Sequence, residues 1–353
     1  MENKRIVFLY TEIAGYILSC ISELLRHGNY EVTLVRWPLN KEAPFDFKFP
    51  EGLKVEDRTQ FNDDALMSRV DSIDPHFIFC SGWVDKGYLK VCKKYRDRIP
   101  VVVGIDNQWE GNWRQRMASL LSFRMIKPYF NAAWVPGEKQ REFAGKLGFP
   151  SDKIYTGFYS ADTAHFFNYY NRFKAQKEQE FPRRFIYVGR YLSFKGVNEL
   201  WDAFAELQQE NPSDWELWCL GTGDLWEKRK EHDKIKHFGF VQPGEIENFI
   251  RDTGVFILPS TFEPWGVVIH EFAASGFPII CTNKVGAASR FVQDGKNGFV
   301  VSPSDKNALK TAMKKMMQCS PDELNKMGEA SHELANGLTP KVWVETLGSM
   351  LMC

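Results

Sequence analysis

The stretch PSTFEPWGVVIHEFAASGFPII, residues 259–280, governs how the rest of the chain is read. It opens on the end of an apolar run, VFILPS (255–260), and passes through the loop TFEPWG. It then becomes the apolar stretch VVIHEFAASG, closed by Ala273, Ala274, Ser275 and Gly276. That is the order of a buried strand, a loop at its carboxyl end and a helix. Two carboxylates mark it, Glu263 in the loop and Glu271 about two turns into the helix. Were the stretch helical throughout, eight residues would span about 12 Å, the reach of a diphosphate with a sugar on either side. The backbone amides of Trp265, Gly266 and Val267 sit at the helix start, where unpaired N–H groups and the helix dipole hold an anion.

The same alternation extends in both directions. RIVFLY (5–10), EVTLVRW (31–37), HFIFCSG (76–82), IPVVVGID (99–106), AAWVPG (132–137) and KIYTGFY (153–159) read as strands, several of them apolar without alternation. Strands buried on both faces of a parallel sheet have that pattern. Amphipathic stretches lie between them, such as ILSCISELLRHG, which stops at Gly28. The polar, aromatic segment NYYNRFKAQKEQEFPRR (168–184) reads as a connection, after which strand and helix alternate again. The expected class is α/β with two doubly wound, Rossmann-like domains facing each other across a cleft, the default place for a ligand. The expected boundaries are 1–165, a linker at 166–182, and 183–338, with a last helical stretch at about 339–353.

Composition narrows the class. The chain has 353 residues, 44% hydrophobic and 25% charged, with 45 Lys plus Arg against 45 Asp plus Glu. No overall field draws it to nucleic acid, so a bound anion must be held by a local arrangement. The seven cysteines are scattered and never in C-x-x-C spacing, which argues against a disulfide framework or a zinc site. No uncharged apolar run reaches the length of a membrane span, and Glu12 interrupts the apolar start. These features lead to a cytoplasmic expectation.

Taken together, the strand context, Glu263-Pro264-Trp265-Gly266 and Glu271 resemble the E-P-(F/W/Y)-G-x-x-x-x-E signature of the family-four retaining glycosyltransferases, the group 1 enzymes with the GT-B fold. FIYVGRYLSFKG (185–196) resembles the family element in which an Arg and a Lys grip the donor diphosphate, here Arg190 and Lys195. Cations at that place neutralise charge that grows on a departing nucleotide, with no metal or other cofactor required. WCLGTGDLW (218–226) begins like a dinucleotide fingerprint but carries Trp226 where a third glycine belongs, which argues against hydride transfer. The resemblance instead makes it a turn near the donor, at Gly221. KHFGFVQPGEI (236–246) resembles the element that reads the nucleobase, around Phe240 and Val241, and NKVGAASRFVQDGKNGFVVSP (283–303) the closing turn, helix and strand.

What the resemblance implies is a hexosyltransferase that moves a sugar from a nucleotide diphosphate, UDP in preference to GDP, to a hydroxyl of a saccharide or lipid-linked acceptor. Glu263 would hold the sugar hydroxyls, Glu271 the ribose, and the amides of Trp265, Gly266, Val267 and Val268 the diphosphate. The likeness is weaker in the first half. The TEIAG loop (11–15) holds one glycine, Gly15, where relatives have two or three, and Gly15 is its candidate for backbone contact with a ligand. Asp106 stands where relatives often have a His, and is the candidate acting from the first domain. Trp109 and Trp113, spaced i, i+4, are candidates for stacking on an acceptor sugar, or are core. RQRMASLLSFRMIKPYF (114–130) mixes Arg114, Arg116, Arg124 and Lys127 with large apolar residues: either a core helix or a peripheral contact with the inner face of a membrane. The final stretch, TPKVWVETLGSM (339–350), would cross back to the first domain. Other readings are a nucleotide-sugar epimerase or a phosphorylase on the same fold, and a non-catalytic nucleotide-sugar-binding protein.

Overall fold

A computed structural model describes residues 3–38 and 48–352. The chain divides into two compact units, Met1–Ala161 with Leu338–Cys353, and Asp162–Gly337.

In chain order, the first unit contains β1 (Lys4–Tyr10), α1 (Gly15–Arg26), β2 (Tyr30–Arg36), β3 (Lys54–Asp57), α2 (Asp63–Ile73) and β4 (Phe77–Cys80). It continues with α3 (Lys86–Tyr95), β5 (Val101–Gly104), α4 (Trp113–Met125), β6 (Ala132–Val135), α5 (Glu138–Lys146) and β7 (Ile154–Thr156). The described strands form one parallel sheet ordered β3-β2-β1-β4-β5-β6-β7. Alternate residues of β1 feed the two faces: Ile6, Phe8 and Tyr10 enter one buried cluster, Val7 and Leu9 the other. Both faces are therefore covered, which is why β1, β4, β5 and β6 read as unbroken apolar runs. The sequence reading missed β3. Its KVED sequence carries three charges because β3 is an edge strand, and an edge is kept soluble by charge.

The second unit contains α6 (Thr163–Gln179), β8 (Arg184–Val188), α7 (Val197–Glu210), β9 (Glu216–Leu220), β10 (Ile235–Gly239), α8 (Ile246–Asp252) and β11 (Val255–Leu258). It continues with α9 (Val267–Ala274), β12 (Ile279–Thr282), α10 (Ala288–Phe291), β13 (Gly298–Val301), α11 (Lys306–Gln318) and α12 (Pro321–Ala335). Its described strands are also parallel, in the order β10-β9-β8-β11-β12-β13. The stretch 166–182, expected as a linker, is mostly the helix α6. Asp162 caps it by accepting from His165 N–H, and it buries Phe166, Tyr169, Phe173 and Lys177 within its own unit. Polar composition misled there, because apolar residues at helical spacing outweigh the charges between them.

The last helix, α13 (Pro340–Leu351), belongs to the first unit and packs on α1. Trp343 is its anchor. The ring lies 4.6 Å from Trp134 and 6.1 Å from Phe8, and its Nε1–H donates to the Phe158 carbonyl at 2.9 Å.

In each sheet the strand order reverses beside the first strand of the unit, β1 against β4 and β8 against β11. Loops leaving the carboxyl ends at such a reversal diverge to opposite faces and open a crevice, the usual ligand position in doubly wound folds. Gly15, Arg190, Lys195 and Glu263 follow strands at these reversals, while Asp106, Gly221 and Phe240 follow the strands β5, β9 and β10.

Candidate active site

The loop after β8, residues 189–196, lies between its neighbours and is tied to both by backbone. On one side Gly189 N–H donates to Leu220 O at 3.0 Å, and Tyr191 N–H to Thr222 O at 2.8 Å. On the other, Phe194 O accepts from Thr261 N–H at 2.8 Å and from its hydroxyl at 3.1 Å. Two glycines make this approach feasible. A Cβ on Gly221 would stand 1.9 Å from Gly189 O, and one on Gly196 would stand 2.3 Å from Pro259 O, with both residues at positive φ. Gly221 thus acts through packing, and its own N–H is taken by Gly239 O at 2.6 Å.

This framework brings Lys195 and Glu263 together as an ion pair, with side chains only 15% and 14% exposed. Glu263 is held through its main chain as well, where Gly286 N–H donates to its carbonyl at 3.1 Å. Arg190 lies exposed on the same loop as Lys195, and its carbonyl accepts from the Tyr187 hydroxyl at 2.8 Å. Gly266 precedes α9 and offers no side-chain cap, so the first-turn amides of Val267 and Val268 have no acceptor within the helix. The Trp265 ring is buried at 2% exposure, edge-on to Phe291, and its carbonyl accepts from Ala287 N–H at 2.8 Å. Any ligand contact of Trp265 is therefore through backbone.

Glu271 sits on the second turn of α9. Burial, with a smaller contribution from the charge of Asp162, pushes its carboxyl up to about 7. A carboxylate kept in so poorly solvated a place is the kind of group that gains from donors brought by a ligand. Phe240 and Val241 follow β10, and the Phe240 ring is 37% exposed.

In the first unit, Gly15 is the opening residue of α1, whose cap position, Ala14, supplies no side-chain acceptor. Asp106 follows β5 and is no helix cap; Asn112 caps α4 instead. Its Oδ2 accepts from the Tyr159 hydroxyl at 3.2 Å. Tyr16 stands edge-on to Tyr159, with ring centroids 5.2 Å apart. Among the described residues the buried Tyr10 hydroxyl has no hydrogen-bond partner. Burial first, then the neighbouring Tyr16 and Asp106, raise the Tyr159 phenol well above its ordinary value. This phenol–carboxylate cluster escaped the sequence reading. The available signal was that β5 and β7 are parallel and so end on the same side, which puts the residues that follow them within reach.

Trp109 and Trp113 do not share a helical face, as their spacing had suggested. Helix α4 begins at Trp113, so Trp109 precedes it, packing 5.8 Å from Phe143 against the core while Trp113 is 70% exposed. Nor is 114–130 a core helix. Of α4 only Ser122 is buried, and Met117, Leu120, Phe123 and Met125 reach solvent beside Arg114, Arg116 and Arg124. Among the described residues no helix is long and apolar enough to cross a membrane.

Two parallel, Rossmann-like units in one chain make up the GT-B fold here, as in the solved structures it resembles. HepE from Anabaena, solved with UDP, superposes on 99% of this chain and 99% of its own, with a TM-score of 0.72 at 14% identity. The apo lipopolysaccharide outer core galactosyltransferase WaaB gives 0.70 at 14% identity over 99% of each chain. Such low identities speak for the fold alone. Sequence adds to this: residues 170–334, within the second unit, match the family described as glycosyl transferases group 1. Among curated proteins, glycogen synthase of Mycobacterium tuberculosis is 28% identical over 152 residues, 41% of this chain and 36% of the relative. The lipopolysaccharide 1,6-galactosyltransferase of Escherichia coli K12 is 29% identical over 140 residues, 37% of this chain and 38% of the relative. The matched region thus spans well under half the length of either relative.

Proposed function

We propose that the protein is a retaining, metal-independent glycosyltransferase. It transfers a hexose-type sugar from a nucleotide diphosphate, UDP in preference to GDP, to a hydroxyl of a saccharide or lipid-linked saccharide in cell-surface polysaccharide or glycolipid synthesis. The observation that carries this reading is the backbone-pinned loop pair that joins Lys195 to Glu263 just ahead of α9, with Arg190 on the same loop as Lys195. In the proposal Arg190 and Lys195 neutralise the departing diphosphate, helped by the amides of Val267 and Val268, with no metal. Glu263 accepts from the sugar hydroxyls, Glu271 accepts from the ribose, and the loop at Phe240 and Val241 borders the base. Asp106, held by Tyr159, acts on a sugar or acceptor hydroxyl. The leaving phosphate takes the acceptor proton on the face it departs from, so no side chain serves as nucleophile. The chain works in the cytoplasm, with α4 as its contact to a membrane surface. That HepE was solved with UDP supports the choice of base.

The test is a calorimetric titration with UDP and GDP in metal-free buffer, beside Glu271→Ala. Binding of UDP that is lost by one to a few kcal/mol in the variant is the expected result, the scale of a charged hydrogen bond. Binding of neither nucleotide overturns the reading. An anomeric proton coupling in the product that differs from the donor's excludes retention, and loss of turnover in EDTA excludes metal independence.

A further inference from the structure

In this molecule the group proposed to meet the diphosphate is paired with the group proposed to meet the sugar. Lys195 and Glu263 each have about one seventh of the side chain exposed, so each serves as the other's solvent. The loops that carry them cannot drift apart. Phe194 O is held by Thr261 and the two loops touch where Gly196 meets Pro259, while Glu263 O is fixed separately by Gly286 N–H. Separation of the charges therefore takes side-chain rotation within a fixed frame.

The two species that would occupy the site affect this pair differently. A bare nucleoside diphosphate draws Lys195 to its phosphates and leaves Glu263 charged, poorly solvated and close to new negative charge. An uncompensated carboxylate in such a place is strongly unfavourable. A nucleotide sugar also takes Lys195, but its hydroxyls supply the hydrogen-bond donors that Glu263 has lost.

Building on the functional reading above, we propose that the Lys195–Glu263 ion pair holds down affinity for the bare nucleoside diphosphate. Glu263 thereby separates the loaded donor from its spent product and favours release of the latter.

The test is titration of UDP into the full chain and into Glu263→Gln, Lys195→Met and the double variant, in metal-free buffer. Glu263→Gln frees Lys195 and should bind UDP about tenfold more tightly than the parent, a change of about 1.4 kcal/mol. In the Lys195→Met background the same change should gain clearly less, because there is no ammonium to free and only the repulsion between Glu263 and phosphate is relieved. Equal or weaker UDP binding by Glu263→Gln overturns the proposal. So does an equal gain in the Lys195→Met background, which would mean that Glu263 merely repels phosphate. Should Glu263→Gln not fold, Glu263→Asp, shorter by one methylene, is expected to give a smaller gain of the same sign, and no gain counts against the pair. If the parent binds no nucleoside diphosphate, the functional reading falls and this inference with it. If the parent binds but the variants gain nothing, the inference alone falls.

Discussion

In the second unit, the loops after β8, β9 and β11 meet backbone to backbone, with glycines where a Cβ would collide and charged side chains set on the resulting frame. In the first unit, the residues after β5 and β7 meet through side chains, as Tyr159 reaches Asp106 and Tyr16 stands against Tyr159. A frame made of main chain tolerates few sequences and positions whatever it carries to within a fraction of an ångström. A cluster made of side chains can be rebuilt by substitution without moving the sheet beneath it. The first arrangement suits the part of a reaction common to many donors, the second suits the part that varies.

This contrast can be broken most directly at Gly221. Gly221→Ala puts a Cβ 1.9 Å from Gly189 O at a φ of +132°, and should cost about 4 kcal/mol or more of stability in denaturant titration. A variant that unfolds like the parent would show that the loops are not locked together. Next in size is Arg190→Ala, expected to lower kcat by roughly 10²–10³ with a smaller change in donor binding, because the charge it meets grows toward the transition state. Equal losses in both would reduce Arg190 to ground-state binding.

Glu271 gives a pH test of intermediate size. An acid whose carboxyl is raised to about 7 in the fold binds its proton more tightly there than in the unfolded chain. Its contribution is fully present at low pH and is lost as pH climbs from the ordinary carboxylate range through about 7. Between pH 5 and 8 the parent should lose on the order of 1–3 kcal/mol relative to Glu271→Gln, and parallel curves would contradict the shift. Nucleotide affinity should run the opposite way, rising as Glu271 ionises.

The first unit offers smaller effects. Tyr159→Phe removes one hydrogen bond to Asp106 and should lower kcat/KM by about 0.5–1.5 kcal/mol; no change would make the cluster a packing feature. Trp113→Ala, on the exposed start of α4, should leave stability within about 0.5 kcal/mol, whereas Trp109→Ala loses core contacts and should cost more.

The same contrast explains what could be read from the chain itself. Around β8, β9 and β11 the backbone demands glycine at fixed places: Gly196 stands beside Lys195 and Gly266 near Glu263 in contiguous motifs, and Gly221 directly follows β9. The buried strands were legible for a similar reason, since a sheet covered on both faces leaves unbroken apolar runs. Tyr159 and Asp106 are 53 residues apart and meet only because β5, β6 and β7 lie side by side, an adjacency that no local pattern records. Helix α6 was misread because ten of its seventeen residues are polar or charged, and Trp109 because i, i+4 spacing presumes a helix that begins only at Trp113.

Helix α13 has a consequence for how the molecule comes into being. Trp343 completes the aromatic cluster of Phe8, Trp134 and Phe158, yet it is synthesised after the whole of Asp162–Gly337. During translation the second unit emerges with all its strands in sequence and can close on its own. The first unit must wait, with the cluster of Phe8, Trp134 and Phe158 only partly covered by α1, until α13 has left the ribosome. The first unit is thus completed only after the second, and for that interval the apolar patch that Trp343 later covers is a natural client for a chaperone.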